Sequence, residues 1–211
     1  MTEFASPVDE FADALEKHAA RYEVELNEQS VARLCDYYLH LSAWNARLHL
    51  VAPCSPAEFA TRHVLESLLA LRYLSENARV TDVGSGAGLP IIPCLIVRPD
   101  IRATLIESSR KKSIFLREAL RLAGAHATSR VISERFEKTP TPQAAFITCR
   151  ALDRFEEMFQ KLLAWSPPRS KLLLYGGPNI RERIEKNAPA YTALHIPESK
   201  QRFLYVVERG A

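Results

Sequence analysis

The stretch VTDVGSGAGLP, from Val80 to Pro90, contains three of the seven glycines of this 211-residue chain within five positions. The short apolar run ARV leads into it, and the apolar run LPIIPCLIV leads out of it. This pattern predicts a strand, a glycine turn and a helix that opens near Pro90, because proline suits the first helical turn. Glycines at alternate positions let the backbone turn sharply and let a ligand approach with no Cβ in its way. The stretch therefore predicts the first strand and the ligand-binding turn of an α/β domain.

Strand-like and helix-like runs alternate from this stretch to the end of the chain. The predicted strands cover residues 79–83, 103–107, 130–132, 144–149, 171–175, 192–196 and 203–208, and the predicted helices cover residues 90–97, 109–123, 152–165 and 178–187. Such alternation indicates a parallel sheet with right-handed crossovers. Only ESKQ joins the last two strands, which is too short for a parallel crossover and predicts an antiparallel hairpin. We expect a Rossmann-like α/β fold with a seven-stranded, mostly parallel sheet and a C-terminal antiparallel hairpin.

The first third of the chain has the residue spacing of helices. Ser6 is a candidate cap for a first helix, a second helix is expected to start after Asn27, and Ser55-Pro56 opens a third. The polar connector SENA follows, and the strand-and-helix pattern starts after it. We expect residues 1–75 to form an N-terminal helical segment packed on the core, and residues 76–211 to form the domain around the glycine turn.

The composition bounds the class of protein. Hydrophobic residues make up 47% of the chain and charged residues 25%, as in ordinary globular proteins. The net charge of +3 permits a nucleic-acid partner without requiring one. The four cysteines are scattered, which argues against a zinc site or a disulfide framework and fits a reducing cytosol. No apolar run approaches the roughly 18 residues of a membrane span, so we expect a cytoplasmic protein with no metal and no membrane partner.

Polar residues are predicted to converge at the carboxyl ends of the central strands, where open α/β sheets bind ligands. These are the turn 84–88, Asp82 just before it, Glu107 at the end of the second strand and Arg150 at the end of the fourth. Glu107 follows the turn by about twenty residues, the spacing at which a carboxylate bonds a ribose diol. The sequence therefore predicts a site for a nucleoside-containing ligand.

The glycine spacing distinguishes between two cofactors. The third glycine of a dinucleotide fingerprint, G-x-G-x-x-G, would fall at position 89, which is Leu89. G-x-G-x-G preceded by an acid is instead the common pattern for S-adenosylmethionine. Its charged end is expected near acids such as Asp82, and its adenine against Leu89 or Phe136. We therefore expect S-adenosylmethionine as the cofactor.

Simpler interpretations stay open for the same residues. Glu107 could be a solvated strand end, and Arg150 a partner in a surface ion pair. Cys149 falls within a predicted buried strand, and His63 lies among apolar helix positions, so core packing is the expected role of both. The basic run at residues 108–124 is most simply an amphipathic helix with a solvated face, and a phosphate-binding surface is the alternative.

Several segments resemble the bacterial GidB/RsmG proteins, which methylate N7 of a guanine in small-subunit ribosomal RNA with S-adenosylmethionine. The resemblance runs through WNARLHLVAP, RHVLESLLALRYL, VTDVGSGAGLPIIPCLIVRPD, TLIESSRKKSIFLREAL, CRAL and QRFLYVV. It implies the fold of a class I S-adenosylmethionine-dependent methyltransferase, with residues 76–211 as the methyltransferase domain. The chain departs from the family pattern at His49 (usually asparagine), Ile91 (usually glycine), Leu152 (usually phenylalanine) and Tyr175 (usually lysine).

The resemblance assigns roles to matching positions. It implies cofactor contacts at Asp82, Gly84, Gly86, Leu89, Glu107, Arg135, Phe136 and Arg150. Arg150 and Asp82 are the candidate catalytic residues, and the candidate contacts to substrate RNA are Arg62, Arg110, Lys111 and Arg202. We expect Arg150 to serve the reaction rather than the fold, so that Arg150→Ala would leave the melting temperature within a few degrees.

The absence of a nucleophile–base pair in the sequence fits this chemistry. Guanine N7 has a lone pair and no proton at neutral pH, so the enzyme mainly has to hold the geometry and exclude water. The implied partner is ribosomal RNA or the small ribosomal subunit, and we expect the protein to be monomeric. Two alternatives remain. The His49 and Tyr175 departures keep open a methyltransferase acting on a small molecule or a protein, and a catalytically silent cofactor- or RNA-binding homologue is the other.

Overall fold

The computed structural model describes residues 6–150, 155–187 and 190–210. The helices are α1 (Pro7–Ala19), α2 (Glu28–Leu48), α3 (Pro56–Glu58), α4 (Glu66–Leu68), α5 (Ile91–Val97), α6 (Arg110–Leu122), α7 (Phe155–Trp165) and α8 (Pro178–Asn187). The strands are β1 (Arg79–Val83), β2 (Arg102–Ile106), β3 (Arg130–Ile132), β4 (Phe146–Arg150), β5 (Lys171–Gly176), β6 (Tyr191–His195) and β7 (Phe203–Glu208). The predicted strands are all present, with ends that differ by up to two residues. The first residues of the helix predicted at 152–165 lie outside the described residues.

The seven strands form one sheet in the order β3-β2-β1-β4-β5-β7-β6. Strands β1 to β5 pair in parallel, whereas β7 runs antiparallel to both β5 and β6. The short connection ESKQ cannot return the chain to the start of a parallel neighbour, which is why the predicted hairpin forms. The chain runs outward from β1 through β2 to β3 and then crosses back to β4 on the other side of β1, so the topological switch point lies between the carboxyl ends of β1 and β4. That point is where open α/β sheets bind ligands.

The N-terminal helices begin at the predicted positions, and each has a capping side chain at its start. The side chains of Ser6, Asn27 and Ser55 accept hydrogen bonds from the backbone three residues on, at 3.4, 2.8 and 3.1 Å. The buried face of α1 belongs to the same hydrophobic cluster as the buried residues of α5 on one face of the sheet. Within α2, Tyr37 is fully buried and donates a hydrogen bond to the carbonyl of Ala87 at 2.7 Å. The division of the chain at residue 75 stays a prediction.

The third helix begins at Pro56 as predicted, but it is not a uniform α-helix. After α3 it widens into a π-helix over Phe59–Leu65, returns to α-geometry in α4 and ends in a 3₁₀ turn at Leu69–Arg72. A π-helix forms its backbone hydrogen bonds between residues five apart instead of four, and it occurs frequently at functional sites. Among the described residues, the structure has no helix that is both long and apolar enough to pass through a bilayer.

Candidate cofactor and substrate site

The glycine turn follows β1 directly and is held against the end of β2. The backbone N–H groups of Gly84 and Ser85 both donate to the carbonyl of Ile106, at 2.9 and 3.1 Å. A Cβ on Gly88 would lie 2.4 Å from Ile92 Cγ1, so this glycine lets α5 pack closely on the turn. Gly86 has a φ of +50°, and a Cβ there would meet only the Gly84 carbonyl oxygen, at 3.7 Å. The glycines thus have separate tasks, and Gly86 leaves its surroundings open for a ligand.

A cavity of about 510 Å³ opens at this edge of the sheet, within the range of about 300–1,000 Å³ found for small-molecule sites. Seven of the residues proposed from the sequence line it: Gly84, Gly86, Leu89, Glu107, Arg135, Phe136 and Arg150. The lining does not include Asp82, Arg62, Arg110, Lys111 or Arg202. The described residues contain no group of three or more His, Cys, Asp or Glu side chains arranged to hold a metal ion.

Glu107 lies in the cavity wall just beyond β2, and its carboxylate fastens the glycine turn. Its Oε2 accepts a hydrogen bond from the N–H of Gly86 at 2.9 Å, and its Oε1 accepts one from the N–H of Ser109 at 2.7 Å. Each carboxylate oxygen has a second lone pair, so both can also accept from hydroxyl groups of a ligand. The simpler interpretation of Glu107 as a solvated strand end is wrong, because the residue is buried.

Asp82 lies beneath the turn rather than against the ligand space, and this corrects its expected contact with the charged end of the cofactor. It belongs to β1, so its side chain points out of the sheet instead of along the strand towards the carboxyl edge. Its register partner on β4 is Thr148, whose hydroxyl donates to Asp82 Oδ1 at 2.6 Å. Burial, with a smaller contribution from Glu107, raises the pKa of Asp82 to about 7.

A raised pKa makes a specific prediction for stability. The protonated form of Asp82 is favoured in the folded protein, because the pKa is higher there than in the unfolded chain. The resulting stabilisation is fully present below about pH 4 and is lost as the pH rises through 7. Asp82→Asn cannot ionise and keeps an oxygen for Thr148. We expect the stability of the wild type to fall relative to Asp82→Asn by up to about 4 kcal/mol between pH 4 and pH 8. Urea unfolding of both proteins across this range measures it, and a constant difference would contradict the assignment.

Arg150 joins the end of β4 to the π-helix. Its guanidinium donates to the backbone carbonyl of Arg62 at 2.8 Å and, more weakly, to the carbonyl of His63 and the hydroxyl of Ser67, each at 3.4 Å. It also contacts Glu66 Oε2 at 3.4 Å, and Arg202 Nε donates to Glu66 Oε1 at 2.9 Å. Glu66 is only 1% exposed. Arg150 is therefore part of the fold as well as of the cavity wall, contrary to the expectation that it serves the reaction alone.

His63 is a cavity residue that the sequence interpretation assigned to core packing. The π-helix places it in the cavity wall, with its ring 5.2 Å from that of Phe59 and its Nδ1 3.3 Å from Arg150 Nη2. Burial, with a smaller contribution from Arg150, lowers the pKa of His63 to about 3. The apolar residues around His63 in the sequence predicted core packing and gave no indication that it lines the cavity. The one signal for it was its place in the segment RHVLES, which the family resemblance had already marked.

The basic residues proposed to bind RNA fall into two groups on opposite sides of the cavity. On the β4 side, Arg62 pairs with Glu58 at 2.8 Å and Arg202 pairs with Glu66. On the β2 side, Arg110 and Lys111 are exposed at the start of α6, beside cavity residues. Among the residues that the structure describes, neither of these two is paired with a carboxylate. Arg110 and Lys111 are thus free to contact an anionic partner.

Two departures from the family pattern have local structural explanations. His49 is the C-cap of α2, with a φ of +47°, a left-handed conformation that asparagine adopts readily. Tyr175 is buried, donates from its hydroxyl to the Ser67 carbonyl at 2.9 Å and has its ring centroid 5.8 Å from the Arg150 guanidinium carbon. Of the other two departures, Ile91 is the buried first residue of α5, and Leu152 lies outside the described residues.

The model of the family described as rRNA small subunit methyltransferase G (GidB) matches residues 30–209 of the chain. The chain belongs to this family. Its relatives include the ribosomal RNA small subunit methyltransferase G of Xanthomonas axonopodis pv. citri, which is 35% identical over 192 residues, covering 88% of this chain and 90% of the relative. The protein of the same name from Gluconobacter oxydans is 40% identical over 165 residues, covering 76% of this chain and 82% of the relative.

Solved structures confirm the fold. A S-adenosylmethionine-dependent methyltransferase from Aquifex aeolicus superposes with a TM-score of 0.58 at 17% identity, covering 72% of this chain and 93% of that one. An RNA methyltransferase from Salinibacter ruber, in complex with S-adenosylhomocysteine, has a TM-score of 0.54 at 14% identity, covering 76% and 94%. The predicted family and class I methyltransferase fold are confirmed. Membership of the family also confirms the expected methyltransferase class. The family together with the methyltransferase structures of the same fold confirms the expected cofactor, S-adenosylmethionine.

Proposed function

We propose that this protein transfers the methyl group of S-adenosylmethionine to N7 of one guanine in small-subunit ribosomal RNA. The observation that carries the proposal is the single cavity wall shared by the Gly86–Glu107 pair and the His63–Arg150 pair. The first pair lies at the ends of β1 and β2. The second joins the end of β4, which is Arg150, to His63 on the π-helix. An extended cofactor held at the first pair reaches the second, where a target base can meet it.

The residues on the β2 side suit the adenosine part of the cofactor. Glu107 has free lone pairs for the two ribose hydroxyls, and Gly86 leaves room for the ligand to approach. Leu89, Ile106 and Phe136 form apolar wall on the same side, as an adenine ring requires. Phe136 is itself supported by the edge of Trp165, with ring centroids 5.3 Å apart. These side chains would hold the cofactor with its methionine part directed towards β4.

The residues on the β4 side suit an acceptor that has no proton to lose. When bound, S-adenosylmethionine supplies a methyl group attached to a positively charged sulfur. The Nδ1 atom of His63 is engaged by Arg150, and its pKa of about 3 makes the imidazole a poor base. A base is unnecessary for guanine N7, because its lone pair is free at neutral pH. The tasks left to this wall are to orient the base and to exclude water.

Arg110 and Lys111 are proposed to contact RNA phosphates beside the mouth of the cavity. Replacing both with alanine should reduce the dependence of log Kd on log salt by about 1.4, at about 0.7 per phosphate contact on single strands. Binding of S-adenosylhomocysteine should not change. A matched control replaces Arg79 and Arg102, two exposed arginines at the opposite edge of the sheet. Equal salt slopes for the two double variants would contradict this placement.

The proposal extends to the setting of the reaction. The partner is ribosomal RNA or the small ribosomal subunit, the protein acts as a single chain, and it works in the cytoplasm. The departures at His49 and Tyr175 no longer favour another substrate, because the first caps a helix and the second supports Arg150.

The test supplies tritiated S-adenosylmethionine to small ribosomal subunits from cells that lack this gene. We expect one methyl group per particle, at a guanine that chemical cleavage specific for N7-methylguanosine then locates. Subunits from cells with the gene should accept none. No incorporation under conditions in which another family member labels the same particles would contradict the proposed substrate.

A further inference from the structure

The π-helix gives His63 a fixed orientation beside the reaction space. Arg150 Nη2 lies 3.3 Å from its Nδ1 and also donates to the carbonyl of Arg62 at 2.8 Å. The ring packs at a tilt against Phe59, which is itself 2% exposed. Contacts on both sides therefore restrict the rotation of the imidazole, while the residue keeps a place in the cavity wall.

The partner at Nδ1 determines which nitrogen carries the proton. A guanidinium has five N–H donors and no acceptor, so Nδ1 of His63 must accept the hydrogen bond from Arg150. A protonated imidazole would present N–H to N–H at this contact. The ring is therefore neutral, and its single proton lies on Nε2. His63 thus offers one hydrogen-bond donor with a direction set by Arg150.

That donor lies where the target base is expected. With adenosine held by Glu107 and Phe136 at β2, the reacting end of the cofactor and its acceptor fall on the β4 side, which includes His63 and Arg150. The edge of guanine that carries N7 also carries O6, a hydrogen-bond acceptor, whereas adenine carries an amino donor in its place. A fixed donor therefore fits guanine and opposes adenine.

Resting on the proposed function, we propose that Nε2–H of His63 donates a hydrogen bond to O6 of the target guanine. The bond orients the base so that N7 faces the methyl group, and it makes His63 a specificity residue for guanine. Arg150 acts through His63 as a positioning residue. The proposal gives the π-helix a purpose, because this turn presents His63 to the cavity and the carbonyls of Arg62 and His63 to Arg150.

The experiment pairs a change in the enzyme with a change in the base. Small subunits are reconstituted with RNA that carries either guanine or 2-aminopurine at the mapped target position. The analogue keeps N7 and lacks O6. The ratio of kcat/KM on guanine to kcat/KM on 2-aminopurine should be about tenfold larger for the wild type than for His63→Ala. A factor of about ten corresponds to the loss of one hydrogen bond to the base. Intrinsic differences in N7 reactivity cancel, since both enzymes meet the same two bases.

His63→Gln is the rescue variant. A glutamine side chain can accept from Arg150 through its amide oxygen and donate to the base from Nε2, so its preference for guanine over 2-aminopurine should approach that of the wild type. Melting temperature and S-adenosylhomocysteine affinity are measured for every variant. A purely structural role for His63 would lower the rates on both bases equally.

Each outcome decides between the two proposals. Failure of the wild type to methylate guanine in these particles would contradict the proposed function itself. Normal wild-type methylation, with the same ratio of guanine to 2-aminopurine rates in the wild type and in His63→Ala, would overturn the role of His63 alone. A larger ratio in the wild type, restored by His63→Gln, supports it.

Discussion

Arg150→Ala is expected to lower the free energy of unfolding by about 3 kcal/mol, at the lower end of the range for breaking a buried ion pair. The side chain of Arg150 is 15% exposed, and its loss leaves the buried carboxylate of Glu66 with Arg202 as its remaining arginine partner. The carbonyls of Arg62 and His63 lose a donor at the same time. For a chain of this size the melting temperature should fall by about 6–12 °C.

Arg62→Ala is the matched control for this change. Arg62 is 48% exposed and pairs with Glu58 one helical turn away, an arrangement worth about 0–1 kcal/mol. Its melting temperature should stay close to that of the wild type. Methyl transfer per folded molecule should fall sharply in Arg150→Ala, because Arg150 lines the cavity and orients His63. Melting temperatures for Arg150→Ala within about 2 °C of the wild type would restore the purely catalytic role expected from the sequence.

The seven strands, their mostly parallel arrangement and the C-terminal hairpin could be predicted from the sequence because local signals determine them. Three glycines in five positions indicate a tight turn, and the four residues ESKQ are too few for a parallel crossover and so indicate a hairpin. Caps at Ser6, Asn27 and Ser55 depend on side chains three residues from the groups they bond, so they too are visible locally. The position of Glu107 at the end of β2 follows from strand length and spacing alone.

The features that were missed depend on contacts between distant parts of the chain. The carbonyl of Arg62 in the π-helix accepts a hydrogen bond from Arg150, a residue 88 positions away. The sequence of Phe59–Leu65 by itself does not predict a π-helix. The direction of the Asp82 side chain follows from its register with Thr148 on β4, 66 positions away. Such pairings exist only once the sheet is assembled. The direction of a polar side chain at this site is thus a property of the fold.

The same reasoning explains why Arg150 was assigned to the reaction alone. A strand-end arginine beside a ligand-binding turn is typical of a functional residue, and the cavity does include it. Its second role depends on Glu66, which looks like an ordinary surface residue of a helix but is buried, in the short helix α4 that packs against α5. Arg150 therefore both stabilises the fold and forms part of the cavity wall. Because of this, the activity of an Arg150 variant has to be expressed per folded molecule.

Glu107→Ala is expected to weaken binding of S-adenosylhomocysteine by at least about 100-fold, since two charge-assisted hydrogen bonds contribute roughly 1.5–3 kcal/mol each. The change also frees the N–H groups of Gly86 and Ser109 from their carboxylate partner, at the cavity edge where Gly86 and Ser108 line the wall. The control is Glu134→Ala, which removes the same charge from the same cavity wall. Titration calorimetry should give a change below about threefold for this control. Equal losses in both variants would mean that the net charge of the cavity, and not the position of Glu107, governs affinity.

Gly86→Asn separates the space that the ligand needs from the strain of the backbone. Asparagine tolerates a positive φ better than most residues, so the +50° of Gly86 should cost it little. Only the Gly84 carbonyl oxygen lies within 4 Å of the added Cβ, so the side chain extends into the cavity where the cofactor is expected. We expect a melting temperature within a few degrees of the wild type together with loss of measurable S-adenosylhomocysteine binding. Retained binding in this variant would mean that the cofactor lies away from the glycine turn, and it would remove the basis for placing the target base beside His63.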